Sequence, residues 1–506
     1  MKQVASTPTP PRSGRFALQP TGYTAFIPAP LPPDPPIQRD SEMDALLSAA
    51  DINLGRLDGV ASILPDTDLF VAMYVRYEAV LSSQIENTQS TLEEVLQFES
   101  EPEADHPKDV EEVVNYVSAM NYGLGRLRGQ FPLSLRLIRE IHGELMNGVR
   151  GGNRDPGEFR RTQNWVGPNG CTLRNATFVP PPVAEMNEAL GEFELFLHTE
   201  DPMPALIFCA LAHAQFETIH PFLDGNGRVG RLLITFLLCH VGVLTQPLLY
   251  LSHYFKRHRA EYYDRLMAVR TKGHWEAWIK FFLRGVSEVS LDASETARKI
   301  LKLRQESRGR LSSAASNSSL AFRLLDLLFE TPLINIGFVA SQLGCTFLTA
   351  SRLVESFQRP ELALLEETTG FSRNRRFRFK PYLDLFPEAK FLPGESVPLA
   401  GDLYARSTIT PTGGRKSLVV VLKVPKSKIQ QLRQDPRNAV FDDARLISNY
   451  LVPYVGTKVY PVPGGTYSVG STLYAQAEPP PEILNRADGQ EVEGVTFWLI
   501  GTEEPT

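Results

Sequence analysis

The residues best suited to chemistry lie in one short string, His220–Arg231, which reads HPFLDGNGRVGR. Its central Gly-Asn-Gly triplet, 225–227, can adopt turn conformations and expose main-chain N–H groups. A helix that begins near Arg228 would direct its free N–H groups and the positive end of its dipole at the same loop. Arg228 and Arg231 are three residues apart, on one face of the first turn, and guanidinium groups bind phosphate oxygens well. The string therefore indicates a site for a phosphate-bearing anion.

Two further side chains in the string add catalytic potential. Asp224 is adjacent to the anion site, and a carboxylate beside phosphates commonly helps to hold Mg²⁺. His220 precedes the loop and can accept a proton near neutral pH. A lone histidine or a lone Gly-Asn-Gly turn would be read most simply as a structural feature. Together, these residues predict a nucleotide polyphosphate site with a general base.

Apolar runs flank the string on both sides, at Ala205–Phe216 and Leu232–Leu238. Both runs are too apolar all round to be surface helices, so we expect two buried helices joined by a polar loop. Functional side chains are commonly placed in this way, on a loop at the edge of a rigid scaffold.

The string resembles the signature of the Fic family, HxFx[D/E]GNGRxxR. This resemblance implies a helical core and transfer of AMP from ATP to a protein hydroxyl, with release of pyrophosphate. Doc-like members, which phosphorylate their targets, typically carry lysine at the second glycine of the triplet, so Gly227 favours AMP transfer. The resemblance implies His220 as the catalytic base, Asp224 as the ligand of Mg²⁺, and Gly225, Asn226, Gly227, Arg228 and Arg231 as the residues that bind the phosphates of ATP.

A second motif lies upstream, at Ser82, Glu86 and Asn87. By spacing alone, Ser82 and Glu86 could be a cap and a surface acid at the end of a helix. The three residues also resemble the inhibitory motif of Fic proteins, [S/T]xxxE[G/N]. That resemblance implies that Glu86 pairs with Arg231 in the place of the ATP γ-phosphate, and hence that the enzyme is autoinhibited.

Turn signals interrupt the helical pattern between residues 150 and 183. Gln163–Gly167 and Thr172–Val179 are expected to pair as a hairpin around Pro168–Gly170, although a plain surface loop is the simpler alternative. In Fic proteins this stretch forms a flap that holds the target by strand-like bonds. The resemblance implies that the docking residues are Gln163, Trp165, Val166 and Gly167.

The resemblance also places aromatic residues near the adenine, and Tyr262 and Tyr263 stand at a similar position here. Many family members carry asparagine seven residues after the second tyrosine, where this chain has Arg270. A core role for one of the two tyrosines remains open. Arg160 and Arg161, which precede the flap, are given no catalytic role.

The composition bounds the remaining functions. The chain has 506 residues, a formal net charge of −6 and four scattered cysteines without metal-ligand spacing. These features argue against a generally basic nucleic-acid binder and suit reduced thiols in the cytoplasm. No apolar run reaches the roughly 20 residues that span a membrane.

We expect a mainly α fold, in which a helical Fic core with a β-hairpin flap precedes a winged helix and a small α+β domain. The proline-rich arm would be extended or disordered, or packed along the surface from Tyr23 to Leu31. The expected segments are the arm (1–40), an N-terminal helical region with the inhibitory motif (41–108), the catalytic domain (109–310), the winged helix (320–385) and a C-terminal domain of unknown role (391–506). The first helix of the N-terminal region is expected from about Ser41 to Leu57. In the C-terminal domain we expect buried strands at Leu418–Val424 and Val495–Ile500 and a short helix at Lys426–Arg433.

The winged-helix prediction rests on three short helices, Leu320–Phe329, Ile336–Leu343 and Thr346–Gln358, followed by a ribbon. DNA binding is one interpretation, with the third helix in the major groove. Because that helix carries little charge, a protein-interaction or dimerisation role is the alternative. The cations of the ribbon that could meet phosphates are Arg373, Arg375, Arg376, Arg378 and Lys380.

The resulting hypothesis is an autoinhibited protein adenylyltransferase that uses ATP and Mg²⁺ to modify a Ser, Thr or Tyr hydroxyl. Self-modification and a homodimer are compatible with it. The alternatives are removal of AMP, transfer of another nucleotide such as UMP, or a winged-helix DNA-binding regulator with a nucleotide-sensing loop.

Overall fold

The structure, a computed structural model, divides into two compact units, Met1–Pro387 and Glu388–Thr506. In the first unit it describes residues 12–62, 67–86, 88–100, 107–148, 155–167, 170–199, 203–313, 318–370 and 375–386; in the second it describes only short strands. Asn87, Arg373 and the predicted helix at 426–433 lie outside the described residues.

Two buried helices form the centre of the first unit. Helix α7 spans Ala205–Ile219 and helix α8 spans Asn226–His240. All residues from 206 to 219 are buried, and so are nearly all of those from 226 to 238. The prediction of two buried helices joined by a polar loop is confirmed, because a helix that is apolar all round is stable only when other elements surround it.

Further helices surround this pair. They are α1 Ser41–Ser62, α2 Thr67–Ile85, α3 Leu92–Ser100, α4 Lys108–Arg128, α5 Leu135–Leu145, α6 Val183–Leu197, α9 Ser252–Arg257, α10 Arg259–Lys272 and α11 Trp275–Ser313. Helices α2, α4 and α5 pack against α8, whereas α6, α10 and α11 pack against α7, and α1 lies along α11.

The proline-rich arm contains a β-hairpin that the sequence did not predict. Strand β1, Gly14–Leu18, pairs antiparallel with β2, Thr24–Pro28. The N–H of Phe26 donates to the carbonyl of Val179 at 2.9 Å, so the arm lies against the predicted flap. Phe26 is 1% exposed, and the burial of this ring is one reason why a proline-rich segment is ordered here.

The rest of the first unit contains three helices and a small sheet near the predicted positions. The elements are α12 Ser319–Glu330, β3 Leu333–Asn335, α13 Ile336–Leu343, α14 Phe347–Gln358, β4 Leu365–Glu367, β5 Arg376–Phe379 and α15 Lys380–Leu383. The three strands form an antiparallel sheet in the order β3-β5-β4. The order of helices and strands along the chain is the one that a winged helix requires, and the assignment of a separate winged-helix domain stays a prediction.

The second unit is described only through strands. The strands are β6 Ser396–Leu399, β7 Leu403–Arg406, β8 Pro411–Thr412, β9 Arg415–Lys416, β10 Val420–Pro425, β11 Val459–Val462, β12 Thr466–Val469, β13 Glu491–Val492 and β14 Val495–Ile500. The two predicted strands appear as β10 and β14, which pair antiparallel. One sheet has the order β10-β14-β12-β11, with β13 beside β14.

The first unit is thus mainly helical and carries small antiparallel sheets. Among the described residues, no helix combines the length and the apolarity that crossing a bilayer requires.

Candidate active site

His220 lies directly after α7, in the left-handed backbone conformation at φ 50° and ψ 59°. Its N–H donates to the carbonyl of Phe216 at 2.9 Å, which ends the helix. Its ring atom Nδ1 is buried and has no hydrogen-bond partner within the described part of the chain. Burial, followed by the charges of Arg270 and Arg160, lowers the pKa of His220 to about 3. The imidazole is therefore neutral near pH 7 and able to accept a proton.

Two asparagine side chains hold the loop after His220 in shape. The side chain of Asn226 accepts the N–H of Phe222 and donates to its carbonyl, both at 2.8 Å. Asn164, from the flap segment, donates to the carbonyl of Phe222 at 2.7 Å and to that of His220 at 3.3 Å. Both polar atoms of the Asn226 amide bond the main chain in this way, so its side chain shapes the loop, and its role in binding phosphate stays a prediction.

Arg160 also supports the loop. It is 1% exposed and donates from Nε to the carbonyl of His220 at 3.1 Å. Nη2 bonds the carbonyl of Pro181, and Nη1 bonds that of Thr162 at 3.3 Å. This buried guanidinium joins both ends of the flap to the loop, which is a structural role.

His142 on α5 supports the loop from the other side. Its ring stacks on Phe222, with the centroids 3.7 Å apart. The N–H of Gly157 donates to Nδ1 at 2.9 Å, so Nε2 must carry the proton that is donated to the carbonyl of Asp224 at 3.1 Å. Burial lowers the pKa of His142 to about 4, which is consistent with this neutral tautomer. His142 thus fixes the main chain of Asp224.

The carboxylate of Asp224 remains accessible, with 40% of the side chain exposed. Its Oδ1 accepts the N–H of Gly225 at 2.7 Å. Among the described residues, no cluster of three His, Cys, Asp or Glu side chains could hold a metal by itself. One accessible carboxylate next to a helix N-terminus nevertheless fits Mg²⁺, which usually takes one or two carboxylates and completes its shell with phosphate oxygens and water.

The two arginines of the string have different environments. Arg228 is 4% exposed and pairs with Glu112 on α4, with Nη1 3.0 Å from Oε2. Its Nη2 also lies 4.0 Å from Oδ1 of Asp224. Its burial between these carboxylates fixes the guanidinium at the first turn of α8.

Arg231 is 2% exposed and faces the C-terminal end of α2. Its Nε donates to Oγ of Ser82 at 2.8 Å, and its Nη2 donates to the carbonyl of Ser82 at 3.0 Å. Nη2 also pairs with Oε1 of Glu86 at 2.8 Å. Partial burial raises the pKa of Glu86, but Arg231 lowers it more, so the net shift is downward and the carboxylate is ionised.

Glu86 also lies against the helix N-terminus. Gly225 caps α8 at φ 75°, and a Cβ built on Gly227 would lie 2.3 Å from Oε1 of Glu86 and 3.1 Å from Nη1 of Arg231. Because the first main-chain N–H groups of a helix attract anions, the carboxylate occupies a position suited to a phosphate. The structure therefore brings Ser82 and Glu86 to Arg231, although they stand 149 and 145 residues apart from it in the chain.

The flap differs from the predicted hairpin. Its described residues contain one antiparallel bridge, between Val166 and Phe178, rather than two strands. Oδ1 of Asn175 accepts the N–H and the hydroxyl proton of Thr172, at 2.6 and 2.9 Å. These local bonds curl the second half of the segment and prevent a longer ladder. Trp165 is 41% exposed, whereas Gln163 is engaged with the carbonyls of Asn164 and Pro180.

The two tyrosines of the predicted adenine pocket separate. Tyr262 is 1% exposed, and its hydroxyl bonds Nε2 of His213 at 2.8 Å. Nδ1 of His213 bonds the carbonyl of Gly230 at 2.9 Å, which ties α10 to α7 and α8. Tyr262 is therefore a core residue, and only Tyr263, at 37% exposure, keeps a surface for a nucleobase.

The described cations of the ribbon are paired within the chain. Arg378 bonds Glu93 on α3 at 2.8 Å and Glu366 at 2.7 Å. Arg376 lies beside Gln97 of α3, whose amide oxygen accepts its N–H groups at 2.9 and 3.1 Å when the amide is turned towards it. The ribbon thus faces the helix that follows the Ser82–Glu86 segment. Two further pairs complete the set, Arg375 with Glu367 at 3.8 Å and Lys380 with Asp384 at 3.2 Å.

The chain matches two family models. Residues 45–125 match the Fic/DOC family N-terminal model, and residues 132–238 match the Fic/DOC family model. Over these residues the chain is therefore similar to Fic/DOC family proteins. The second match contains the whole loop from His220 to Arg231, and the first contains Ser82 and Glu86.

The chain is also similar to proteins named protein adenylyltransferase Fic. The one from Culex quinquefasciatus is 33% identical over 190 residues, which cover 35% of this chain and 33% of the relative. The one from Aedes aegypti is 29% identical over 284 residues, covering 53% of this chain and 50% of the relative. The matched parts thus span a third to a half of these relatives. A solved Fic family protein from Desulfovibrio desulfuricans G20 is 17% identical, with a TM-score of 0.44, over 68% of this chain and 97% of that one.

Proposed function

We propose that this chain is an autoinhibited protein adenylyltransferase of the Fic family, which transfers AMP from ATP to a hydroxyl group of a target protein. The observation that carries the proposal is the convergence of a neutral histidine, a helix N-terminus and a buried arginine on one loop. A histidine suits proton abstraction, and the other two groups suit a polyphosphate.

In the proposed reaction, His220 removes the proton of the target hydroxyl while its oxygen attacks the α-phosphorus of ATP. The new oxygen–phosphorus bond forms as the bond to the β-phosphate bridging oxygen breaks, and pyrophosphate leaves. Arg228 and Arg231 stabilise the negative charge on the phosphates. In the free site burial keeps the pKa of His220 low, and the negative charge of bound phosphates would raise it towards the range of an effective base.

Asp224 would help to hold Mg²⁺ at this loop, with its main chain fixed by His142. When bound, the ion would neutralise phosphate charge and orient the phosphates. The main-chain N–H groups at the start of α8 would bind the same phosphates. This role requires Glu86 to leave its place against Gly227.

The geometry of Glu86 supports the autoinhibition part of the proposal. Its carboxylate is ionised, bonds Arg231 and lies at the anion-binding end of α8. A triphosphate would meet like charge at this point and would lose one guanidinium partner. ATP would then be held in a non-reactive pose.

Removal of AMP and transfer of UMP use the same groups and remain alternatives. A role as a DNA-binding regulator is less well supported, because Arg376 and Arg378 face α3 and are engaged there. Mass spectrometry of a modified target distinguishes transfer of AMP from transfer of UMP. Retardation of random duplex DNA by the full chain at low salt would instead support the DNA-binding alternative.

The central experiment incubates α-labelled ATP and Mg²⁺ with cell lysate and either the wild-type chain or Glu86→Gly. We expect labelled protein bands with the variant and much weaker bands with the wild type. The matched control is the Glu86→Gly, His220→Ala double variant, which should give none. γ-Labelled ATP distinguishes phosphoryl transfer, because AMP transfer leaves no γ-label on the target. Equal labelling by the wild type and Glu86→Gly would contradict autoinhibition, and an absence of labelling throughout would contradict the transferase proposal.

A further inference from the structure

Arg270 lies on α10 and is 7% exposed. Its Nη2 donates to the carbonyl of Glu217 at 2.9 Å, and its Nε donates to Oγ1 of Thr218 at 3.1 Å. Thr218 donates its own hydroxyl proton to the carbonyl of Ala214 at 2.7 Å, which leaves a lone pair for Arg270. One guanidinium thus holds two consecutive residues of the last turn of α7, directly before His220.

The same guanidinium contacts the flap. Its Cζ lies 4.0 Å from the centre of the Phe178 ring, in cation–π geometry. Phe178 exchanges two main-chain hydrogen bonds with Val166, at 2.8 and 3.0 Å, and these form the bridge of the flap. Arg270 is therefore in contact both with the end of the helix that precedes His220 and with the strand-like pair of the flap.

We propose that Arg270 is a positioning residue, which couples the flap that docks the target to the helix end that places the catalytic base. The role of the flap in docking a target and that of His220 as a base rest on the proposed function, whereas the coupling rests only on the contacts of Arg270 with α7 and with Phe178. An arginine suits this role, because one planar group with several N–H donors can satisfy two acceptors and stack on a ring at the same time.

Electrostatics gives Arg270 a second, separable effect on His220. Three charged side chains act on that imidazole. Burial has the largest effect and lowers its pKa, Arg270 from α10 and Arg160 before the flap lower the pKa further, and the main-chain carbonyl of Glu217 and the carboxylate of Glu86, which directly follows α2, raise it. Loss of the Arg270 charge should therefore make His220 easier to protonate, whatever happens to the flap.

The test uses full-length protein and needs neither ATP nor a target. In Arg270→Met, we expect the amide hydrogens of Val166 and Phe178 to exchange at least about tenfold faster, measured by hydrogen exchange with mass spectrometry. We also expect about tenfold more protonated His220 at pH 5, since loss of a nearby charge commonly shifts a pKa by about one unit. The histidine NMR signal is assigned with His220→Gln.

The matched control is Arg265→Met, on the same helix. Arg265 pairs with Glu261 at 2.8 Å and is 37% exposed, so its loss should change neither readout. Arg270→Lys separates the two effects. A lysine keeps the charge, and His220 should stay as neutral as in the wild type; it cannot reproduce the planar bridge, so the exchange of the flap should still accelerate.

If Arg270→Met does not fold, Arg270→Lys and Phe178→Leu decide the question. Phe178→Leu removes the ring and should accelerate exchange of the flap without changing the titration of His220. Unchanged exchange in folded Arg270→Met, or in both Arg270→Lys and Phe178→Leu, would overturn the proposal. Because no readout uses nucleotide transfer, this outcome is distinct from failure of the adenylyltransferase proposal.

Discussion

Glu86 lies so close to Gly227 that a Cβ added to the glycine would be only 2.3 Å from the carboxylate oxygen Oε1. The first turn of α8 and the end of α2 are therefore fitted to each other at a position without a side chain. A glycine at this point leaves room for the carboxylate of Glu86 and, in the proposed active state, for a phosphate in its place.

This fit predicts energetic coupling between Gly227 and Glu86. Gly227→Ala should push the flexible carboxylate of Glu86 away and weaken its pair with Arg231, whereas in a Glu86→Gly background the new methyl group meets no carboxylate. We expect a coupling free energy of about 1 kcal/mol in a double-mutant cycle measured by urea unfolding. The control is Gly191→Ala on α6, where an added Cβ would meet nothing within 4 Å, so its effect on unfolding measures only the gain in helix propensity. Equal effects of Gly227→Ala in both backgrounds would argue against the contact.

His220→Ala should abolish AMP transfer while leaving the fold intact. Loss of a positioned general base commonly costs about 10²–10⁴ in rate. The measurement is the labelling rate in the Glu86→Gly background, together with a thermal unfolding curve. His198→Ala, which changes an exposed histidine after α6, is the control. Retained activity in folded His220→Ala would require another base.

Asp224→Asn should weaken the response to Mg²⁺ rather than the fold, because the side chain is 40% exposed. We expect the Mg²⁺ concentration for half-maximal transfer to rise by about tenfold or more, since a neutral amide is a poorer ligand for this ion. Asp264→Asn, at an exposed position of α10, is the matched control. An unchanged Mg²⁺ dependence would remove Asp224 from the metal site.

His213 should make the fold sensitive to acid. Burial lowers its pKa to about 3, while in the unfolded chain the pKa is near 6.5. Below pH 6.5 the unfolded chain therefore binds a proton that the folded chain does not, and stability falls as the pH decreases. From pH 7 to pH 5 this one residue should cost about 2 kcal/mol of unfolding free energy.

The check on His213 compares urea unfolding of the wild type with that of His213→Gln at pH 7 and pH 5. Glu217, whose pKa burial raises to about 7, contributes a pH dependence of the opposite sign. The comparison isolates His213 because Glu217 is present in both chains. An identical pH dependence in the two proteins would contradict the assignment of a neutral buried His213.

Much of the helical framework could be predicted from the sequence, because apolar residues at helical spacing are a strong signal for long helices. Helix α13 matches its predicted bounds, and α1 starts where predicted but runs five residues further. Contacts between distant residues could not be predicted from spacing. Asn164 and His142 support the catalytic loop from 58 and 82 residues away, and no local pattern marks them.

The structure decides two points that the sequence left open, for identifiable physical reasons. Turn signals allowed the flap to be a hairpin or a plain surface loop, and local bonds between Thr172 and Asn175 compete with a ladder of two strands. Either tyrosine could have had a core role, and it is Tyr262 that is buried and bonded to His213 on a neighbouring helix. The first outcome depends on contacts within the flap, and the second on a side chain of another element.

The contacts of β5 with α3 have a consequence for how the proposed inhibition would be relieved. Glu86 is held by Arg231, and helix α3, which follows it in the chain, is held by the ion pair of Arg378 with Glu93. Moving the end of α2 together with α3 would break both ion pairs and expose Ile85, which is 0% exposed. Rotation of the Glu86 side chain about its own bonds breaks only the pair with Arg231. Under the proposed autoinhibition, release therefore requires the fewest broken contacts as a swing of one side chain, and an activator would favour it by binding the carboxylate in its outward orientation.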